Sequence, residues 1–499
     1  MHLRSSSFDD SSGARPDKPV TPHPVTPHPV TPHPVTPDPD QPHPVASTAR
    51  RSRKRLLLGG ALAAVVAAGA AVAVVVTGPA QSGKAEGFTR YVATGEPFTL
   101  PAGRTAMSPA NDPNSGLTSF IVKDVLDRQA QALLRHDLTG WLATVDPAKP
   151  KVVAYYRDLY AAMQALDVTG FAYENTGSID ITSKNDLRWQ SDYGITYCFS
   201  RPECAGGGRA GPLGSPSITQ HLSLRKADGG WLIEGVGTSK KPGRYEPTPW
   251  QNGGMVFARG KRVTVGATRG HDKRIKELAA IADKAAAVTD RYAAKLGSSP
   301  NRYRIYLATD KEWSAWFTSG EEEGYRGQAF SINDIQSEVV LKASELGGAA
   351  DARAVIQHEL GHVVAFDGTG VGQVPVTMFY DWLSEGFAEY VSYDGRPATS
   401  SDRAPAVRTL VKSRKPYRSL DVGRPSVTSK LPTINQFYGW GAFAVDCMAQ
   451  KYGKPAMLGF IKDMYRTRSM TLDRAAQKNY GVPFDELSDS CVSWIAKKF

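Results

Sequence analysis

The spacing of apolar positions changes several times along the chain. Residues 20–39 repeat a five-residue unit, VTPHP VTPHP VTPHP VTPDP, in which proline returns too often for a helix and favours extended polyproline II. Residues 1–49 have no apolar face to bury and read as a disordered tail. At 56–76 the run LLLGGALAAVVAAGAAVAVVV carries no charge and is long enough to cross hydrocarbon as one helix, for which about 20 residues suffice. Residues 78–115 return to Gly, Pro, Ser, Thr and Ala and read as a linker. From Leu117 a helical period sets in, with Phe120, Ile121, Val125, Leu126, Ala130 and Leu133 on one face, and VVAYYRDLYAAMQAL predicts a second helix. TGFAYENTGSID, SDYGITYCFS and ITQHLSLRKADGGWLIEGVG have strand character, and ADGG predicts a hairpin turn. The polar stretch TSKKPGRYEPTPWQNGG then connects to another region. There DKRIKELAAIADKAAAVTDRYAAKLG predicts a long amphipathic helix stopped by Gly297, followed by the strand NRYRIYLAT and the strand candidates GQAFSI and SEVVLKA.

Helices followed by a curved antiparallel sheet resemble the nuclear-transport-factor-2-like, cone-shaped α+β fold over roughly residues 116–240. That fold hosts both enzymes and inert scaffolds, so the resemblance implies a spacing or binding role and no particular activity. Its only histidines, His136 and His221, read as surface or packed residues. The expected fold class is therefore α+β with a single transmembrane helix. Its parts are the tail 1–49, a basic flank and membrane helix 50–77, the linker 78–115, an α+β domain 116–245 and a second α+β domain 250–499. Two such units suit a chain of 499 residues with 41% hydrophobic content.

Charge refines this picture. The chain is basic, with a formal net charge of +11, and the cluster RRSRKR at 50–55 directly precedes the apolar run. Basic residues beside a span face the cytoplasm, which predicts a cytoplasmic N-terminus, contact with the lipid bilayer through 56–76, and the bulk of the chain outside the cell membrane. A cleaved signal peptide is the competing reading, but some fifty residues precede the run and VVTGPAQSG lacks a clean A-x-A cleavage site. The proline tail would be a solvated spacer or the ligand of a cytoplasmic partner. No basic stripe with interleaved aromatics lies outside the flank, so nucleic acid is not an expected partner. All four cysteines, Cys198, Cys204, Cys447 and Cys491, follow the run, and an even count suggests disulfides. Cys198 and Cys204 would close a short loop and Cys447 and Cys491 would pair with each other; buried free thiols are the alternative.

The chemistry concentrates in AVIQHELGHVVAFDG, residues 354–368. On a helix, positions four apart share a face, so His358 and His362 can present two imidazole nitrogens to one ion. Zinc takes such ligands and keeps a position open for water, and Glu359, one step round the helix, is placed to accept that water's proton. The plain alternative is two histidines and a glutamate on an ordinary helix. Downstream, FYDWLSEGFAEYVSY predicts a second helix carrying Glu385 and Glu389.

HELGH followed by WLSEGFAEY resembles the gluzincin metallopeptidases, most closely their peptidase-MA-like branch, over about residues 255–499. The resemblance implies Glu385 as the third zinc ligand and Glu389, one turn further on, as a carboxylate orienting a ligand imidazole. It also implies that Tyr438, in NQFYGWGAFAVDCMAQKYG, donates to the oxyanion, although a packing aromatic beside Phe437 and Trp440 fits the same position. By the same analogy, 327–332 is an edge strand that pairs with an extended substrate. The spacing from HELGH to Glu385 is slightly longer than in the aminopeptidase branch, and no G-A-M-E-N-type motif precedes the zinc helix, so aminopeptidase specificity is not expected. The acidic run 321–323 reads as a solvated loop. The expectation is a membrane-anchored extracellular metallopeptidase with one zinc per chain and a peptide or protein substrate. The alternative is a non-catalytic envelope scaffold with a decayed site.

Overall fold

Three helices open the described part of the chain: α1 (Gly116–Leu134), α2 (Leu138–Leu142) and α3 (Pro150–Ala165). The computed structural model describes residues 116–499, except 177–179, 182–187, 202–217, 229, 244–245, 317–324, 334, 368–380, 427 and 468. α1 buries Ile121, Val125, Leu126, Ala130 and Leu133, the face that the helical period marks. Asp137 caps α2 by accepting from the Gly140 N–H, and Pro150 supplies the pre-set first position of α3.

These helices cover an antiparallel sheet of β1 (Val168–Asn175), β2 (Asp180–Ile181), β3 (Arg188–Phe199), β4 (Ile218–Ala227) and β5 (Gly230–Thr238). The order is β1-β3-β4-β5, with β2 also on β3. β4 and β5 form the expected hairpin, Ala227 facing Gly230. His136 is exposed beside Gln164, and His221 lies 2.9 Å from Asp192.

The second sheet contains β6 (Met255–Arg259), β7 (Val263–Thr268), β8 (Tyr303–Ala308), β9 (Gly327–Ser331) and β10 (Ser337–Lys342), in the order β6-β7-β8-β10-β9. Its three inner strands are parallel, and both edge strands run antiparallel to their neighbours. The crossover from β7 to β8 is α4 (Asp272–Leu296), which stops at Gly297 in the left-handed conformation, φ 70°. The β6–β7 hairpin directly follows the polar connection 238–254, in a stretch the sequence reading assigns to no element. Its two apolar runs are short, and the surrounding glycines and arginines hide their alternation. The remaining helices are α5 (Asp310–Trp316), α6 (Ala349–Phe366), α7 (Asp381–Ser392), α8 (Ala404–Val411), α9 (Leu431–Tyr452), α10 (Lys454–Arg466), α11 (Leu472–Tyr480) and α12 (Phe484–Ala496).

Strand alternation buries the second sheet on both faces. Val265, Ile305, Leu307, Val339 and Leu341 pack against the helices. Phe257, Tyr306, Ala308 and Val340 point the other way and join the apolar core of the first sheet, together with Trp313 and Ile332.

The expected single transmembrane helix is corrected. Among the described residues no helix is long and apolar enough to cross a membrane. The longest described helix, α4, is amphipathic and alternates buried Leu and Ala with charged residues. The run at 56–76, the proline tail and the linker lie outside the described residues. The observed fold class is α+β with two sheets.

Cys447 on α9 and Cys491 on α12 are disulfide-bonded, with Cα atoms 5.7 Å apart. Cys198 is also disulfide-bonded, while its expected partner Cys204 lies outside the described residues. The α9–α12 bridge closes a separation of 44 residues, which in the chain-entropy view restrains the unfolded state by about 4 kcal/mol. The double variant Cys447→Ser, Cys491→Ser is therefore expected to lose stability of that order, measured by denaturant unfolding against the unreduced wild type.

Candidate metal centre

α6 carries His358 and His362 on successive turns, and α7 brings Glu385 opposite them. The two Nε2 atoms lie 3.2 Å apart, Glu385 Oε2 lies 3.2 Å from His362 Nε2, and it lies 3.3 Å from His358 Nε2. These three residues form a set that could hold a metal ion. The helices reach this geometry because glycines sit where their backbones touch. A Cβ on Gly361 of α6 would stand 3.0 Å from Ala388 Cα of α7. Gly386 of α7 and Gly441 of α9 face each other so closely that a Cβ on Gly386 would stand 2.3 Å from the Gly441 carbonyl oxygen.

A second layer orients the imidazoles. Glu389 Oε1 lies 3.4 Å from His358 Nδ1 and accepts from Arg403 Nε at 2.8 Å. Ser384 Oγ lies 3.1 Å from His362 Nδ1. A partner on the outer nitrogen fixes the ring and its tautomer, which leaves the inner nitrogen free to ligate. The electrostatics agree with the geometry. Burial opposes a charge on His358, but Glu385 and Glu389 outweigh it and raise this imidazole to about 10. Burial alone would raise Glu385, but the two imidazoles hold it well below the usual carboxylate range. Burial also works against the Glu389 carboxylate, and Arg403 overcomes it. The pocket therefore favours positive charge among its three donors.

Glu359 lines the same pocket and points toward β9. It is buried, and burial raises its carboxyl above the usual range although both imidazoles pull the other way. The Ala329 N–H of β9 donates to it. A Cβ on Gly327 would come within 2.9 Å of Glu359 Cγ, so β9 runs directly against this side chain. Tyr438 stacks on His358 with ring centres 6.1 Å apart, and the Arg403 guanidinium sits over the Tyr438 ring, 4.7 Å from its centre. Burial, then Glu385, pushes its phenol well above the ordinary value, so the hydroxyl keeps its proton and can donate. These groups line a cleft of about 710 Å³ whose walls also include Tyr325 and Arg424, which hydrogen-bond to each other at 2.7 Å.

Thus His358, Glu359, His362, Glu385, Glu389 and Tyr438, all marked in the sequence, come together in one cleft. The acidic run 321–323 lies outside the described residues. Ser384, Arg403 and Gly327 carry no sequence signal of their own. Ser384 adjoins Glu385, but Arg403 comes from α8's start and is brought in only by the tertiary fold.

Gly386→Ala would force α7 and α9 apart. Overpacking of this kind costs about 1–3 kcal/mol. The variant is expected to melt earlier and, because Glu385 is the next residue, to bind zinc at least tenfold more weakly in a chelator competition. Models of known protein families find no match to this chain, and none of the curated proteins compared with it is significantly similar.

Proposed function

We propose that the chain is a zinc-dependent peptidase that cuts an extended peptide lying along β9. The observation that carries this reading is the donor triangle of 3.2–3.3 Å edges with Glu359 beside it. Tetrahedral zinc with bonds of about 2.0–2.1 Å to nitrogen and oxygen separates its ligands by about 3.3 Å, and two histidines with one glutamate are a usual donor set for a catalytic site. His358, His362 and Glu385 would hold the ion, which leaves one position open toward the cleft. Zinc, when bound, supplies a Lewis acid that polarises the scissile carbonyl and makes water nucleophilic near neutral pH.

The chain's own residues do the rest. Glu359 accepts the proton of the attacking water on a carboxylate oxygen; its raised pKa makes it the stronger base, and the Ala329 N–H fixes its direction. As the C–N bond breaks, the same carboxyl returns the proton to the leaving amine. The Tyr438 hydroxyl donates to the carbonyl oxygen as negative charge develops there. Glu389, Arg403 and Ser384 keep the imidazoles in register. β9 is the edge of its sheet, so its outward backbone groups are available to pair with a substrate strand. The α9–α12 disulfide favours an oxidising, extracytoplasmic setting for this activity. A decayed scaffold would be expected to lack a ligand or the base, whereas all four groups stand in place.

Glu359→Gln is expected to retain one zinc per chain and to lose peptide hydrolysis by about 10²–10⁴-fold, measured by metal analysis and a fluorogenic peptide library. In the same assays Glu385→Ala should lose the zinc itself. A well-folded wild type that takes up no zinc when the metal is added back would end the proposal. Gly327→Ala probes the base differently. The clash falls on a side chain that can swing away, so the fold should persist while kcat drops at least tenfold with zinc content unchanged.

A further inference from the structure

The hairpin of β9 and β10 is held at its turn by the first sheet. Gln336 Nε2 donates to the Phe199 carbonyl at 2.7 Å, and the Phe199 N–H donates to Gln336 Oε1 at 3.1 Å. Asn333 Nδ2 donates to the Tyr197 carbonyl at 3.0 Å. The side-chain amides thus stand where a neighbouring strand's backbone would. The pairing of β3 with β4 starts at Ile195 opposite Ile218, and from there toward Phe199 the amides of the hairpin take over the same edge of β3. Two residues apart on a strand, Tyr197 and Phe199 present their backbone groups to the same side.

This junction is built to be rigid. Asn333 and Gln336 are buried, with 1% and 4% exposure. Asn333 Oδ1 accepts from the N–H groups of Ile335 and Gln336 at 3.0 and 2.8 Å, which closes the turn. The Ile332 N–H donates to the Gln336 carbonyl, and Ile332 is fully buried in the first sheet's core. One residue pair further along β10, Glu338 accepts from Arg304 at 2.8 Å, and the Arg304 guanidinium covers the Phe199 ring at 5.2 Å. At its other end β9 meets Glu359 through Ala329 and Gly327. β9 is five residues long, so a displacement at its turn is felt at its start.

We infer that the first sheet is a positioning element of the cleft. Through Gln336 and Asn333 it fixes the β9–β10 hairpin, and β9 in turn sets the direction of Glu359 and the edge offered to substrate. Gln336 is a positioning residue that touches neither metal nor substrate. The role in hydrolysis rests on the peptidase reading; the mechanical coupling does not.

The test is Gln336→Met in the full, zinc-loaded chain, because methionine fills similar volume without an amide. Two readouts are taken, hydrogen exchange resolved by peptide and steady-state hydrolysis. Backbone exchange at 327–331 should quicken about tenfold or more while that of 303–308 stays unchanged, since only the edge hairpin is released. Zinc content should be retained, kcat should fall about tenfold, and KM should rise. Unchanged exchange at 327–331 would overturn the inference, as would an equal increase throughout the second sheet, which would mean a general loss of stability. If the wild type binds zinc but cleaves no peptide, the peptidase reading fails and the exchange result alone decides the coupling. Should Gln336→Met not fold, Asn333→Ser takes its place. Its hydroxyl can still close the turn but is too short to reach Tyr197.

Discussion

Two imidazole nitrogens and a carboxylate oxygen held 3.2–3.3 Å apart, inside a largely buried pocket, are an unfavourable arrangement unless positive charge sits among them. Much of the surrounding structure is organised by that constraint. Glycines at 361, 386 and 441 allow three helices to approach closely enough to create it. Arg403 compensates the buried Glu389, and Glu389 compensates His358, so charge alternates outward from the donors to the protein surface. Removing any one member strips a buried neighbour of one of its partners, which is more costly than never having built the pair.

The second sheet turns this local arrangement into a cleft. Its helical face supports α6, and its opposite face is shared with the first sheet's core, so neither layer can slide without repacking the other. β9, at the edge, meets Glu359, and it is tied at its turn to β3.

The parts legible in the sequence are those governed by a short period. His358 and His362 lie one helical turn apart, the helix ending at Gly297 has a plain amphipathic rhythm, and the β4–β5 turn is written in its own residues. Glu385 and Glu389 became visible through the neighbouring motif. What stayed hidden depends on chain closure over long separations. Gln336 reaches Phe199 across 137 residues, and neither residue type announces it. Arg403 is one arginine among many until the fold sets it beside Glu389. The β6–β7 hairpin was hidden by its shortness, because strands of five and six residues leave few alternations to count. The membrane helix is a different case: among the described residues no helix is long and apolar enough to cross a membrane.

The bridge between α9 and α12 has a consequence for biosynthesis. α9 bears Tyr438 near its start and Cys447 in its second half, while the partner thiol is Cys491. Translation proceeds from the N-terminus, so the histidine helix and the glutamate helix emerge before the residue that secures the tyrosine wall. The crosslink then also requires oxidation, which reducing compartments withhold. Assembly of the cleft is therefore ordered in time: the donor set can form first, and the wall that carries Tyr438 is locked last, once the two thiols are oxidised.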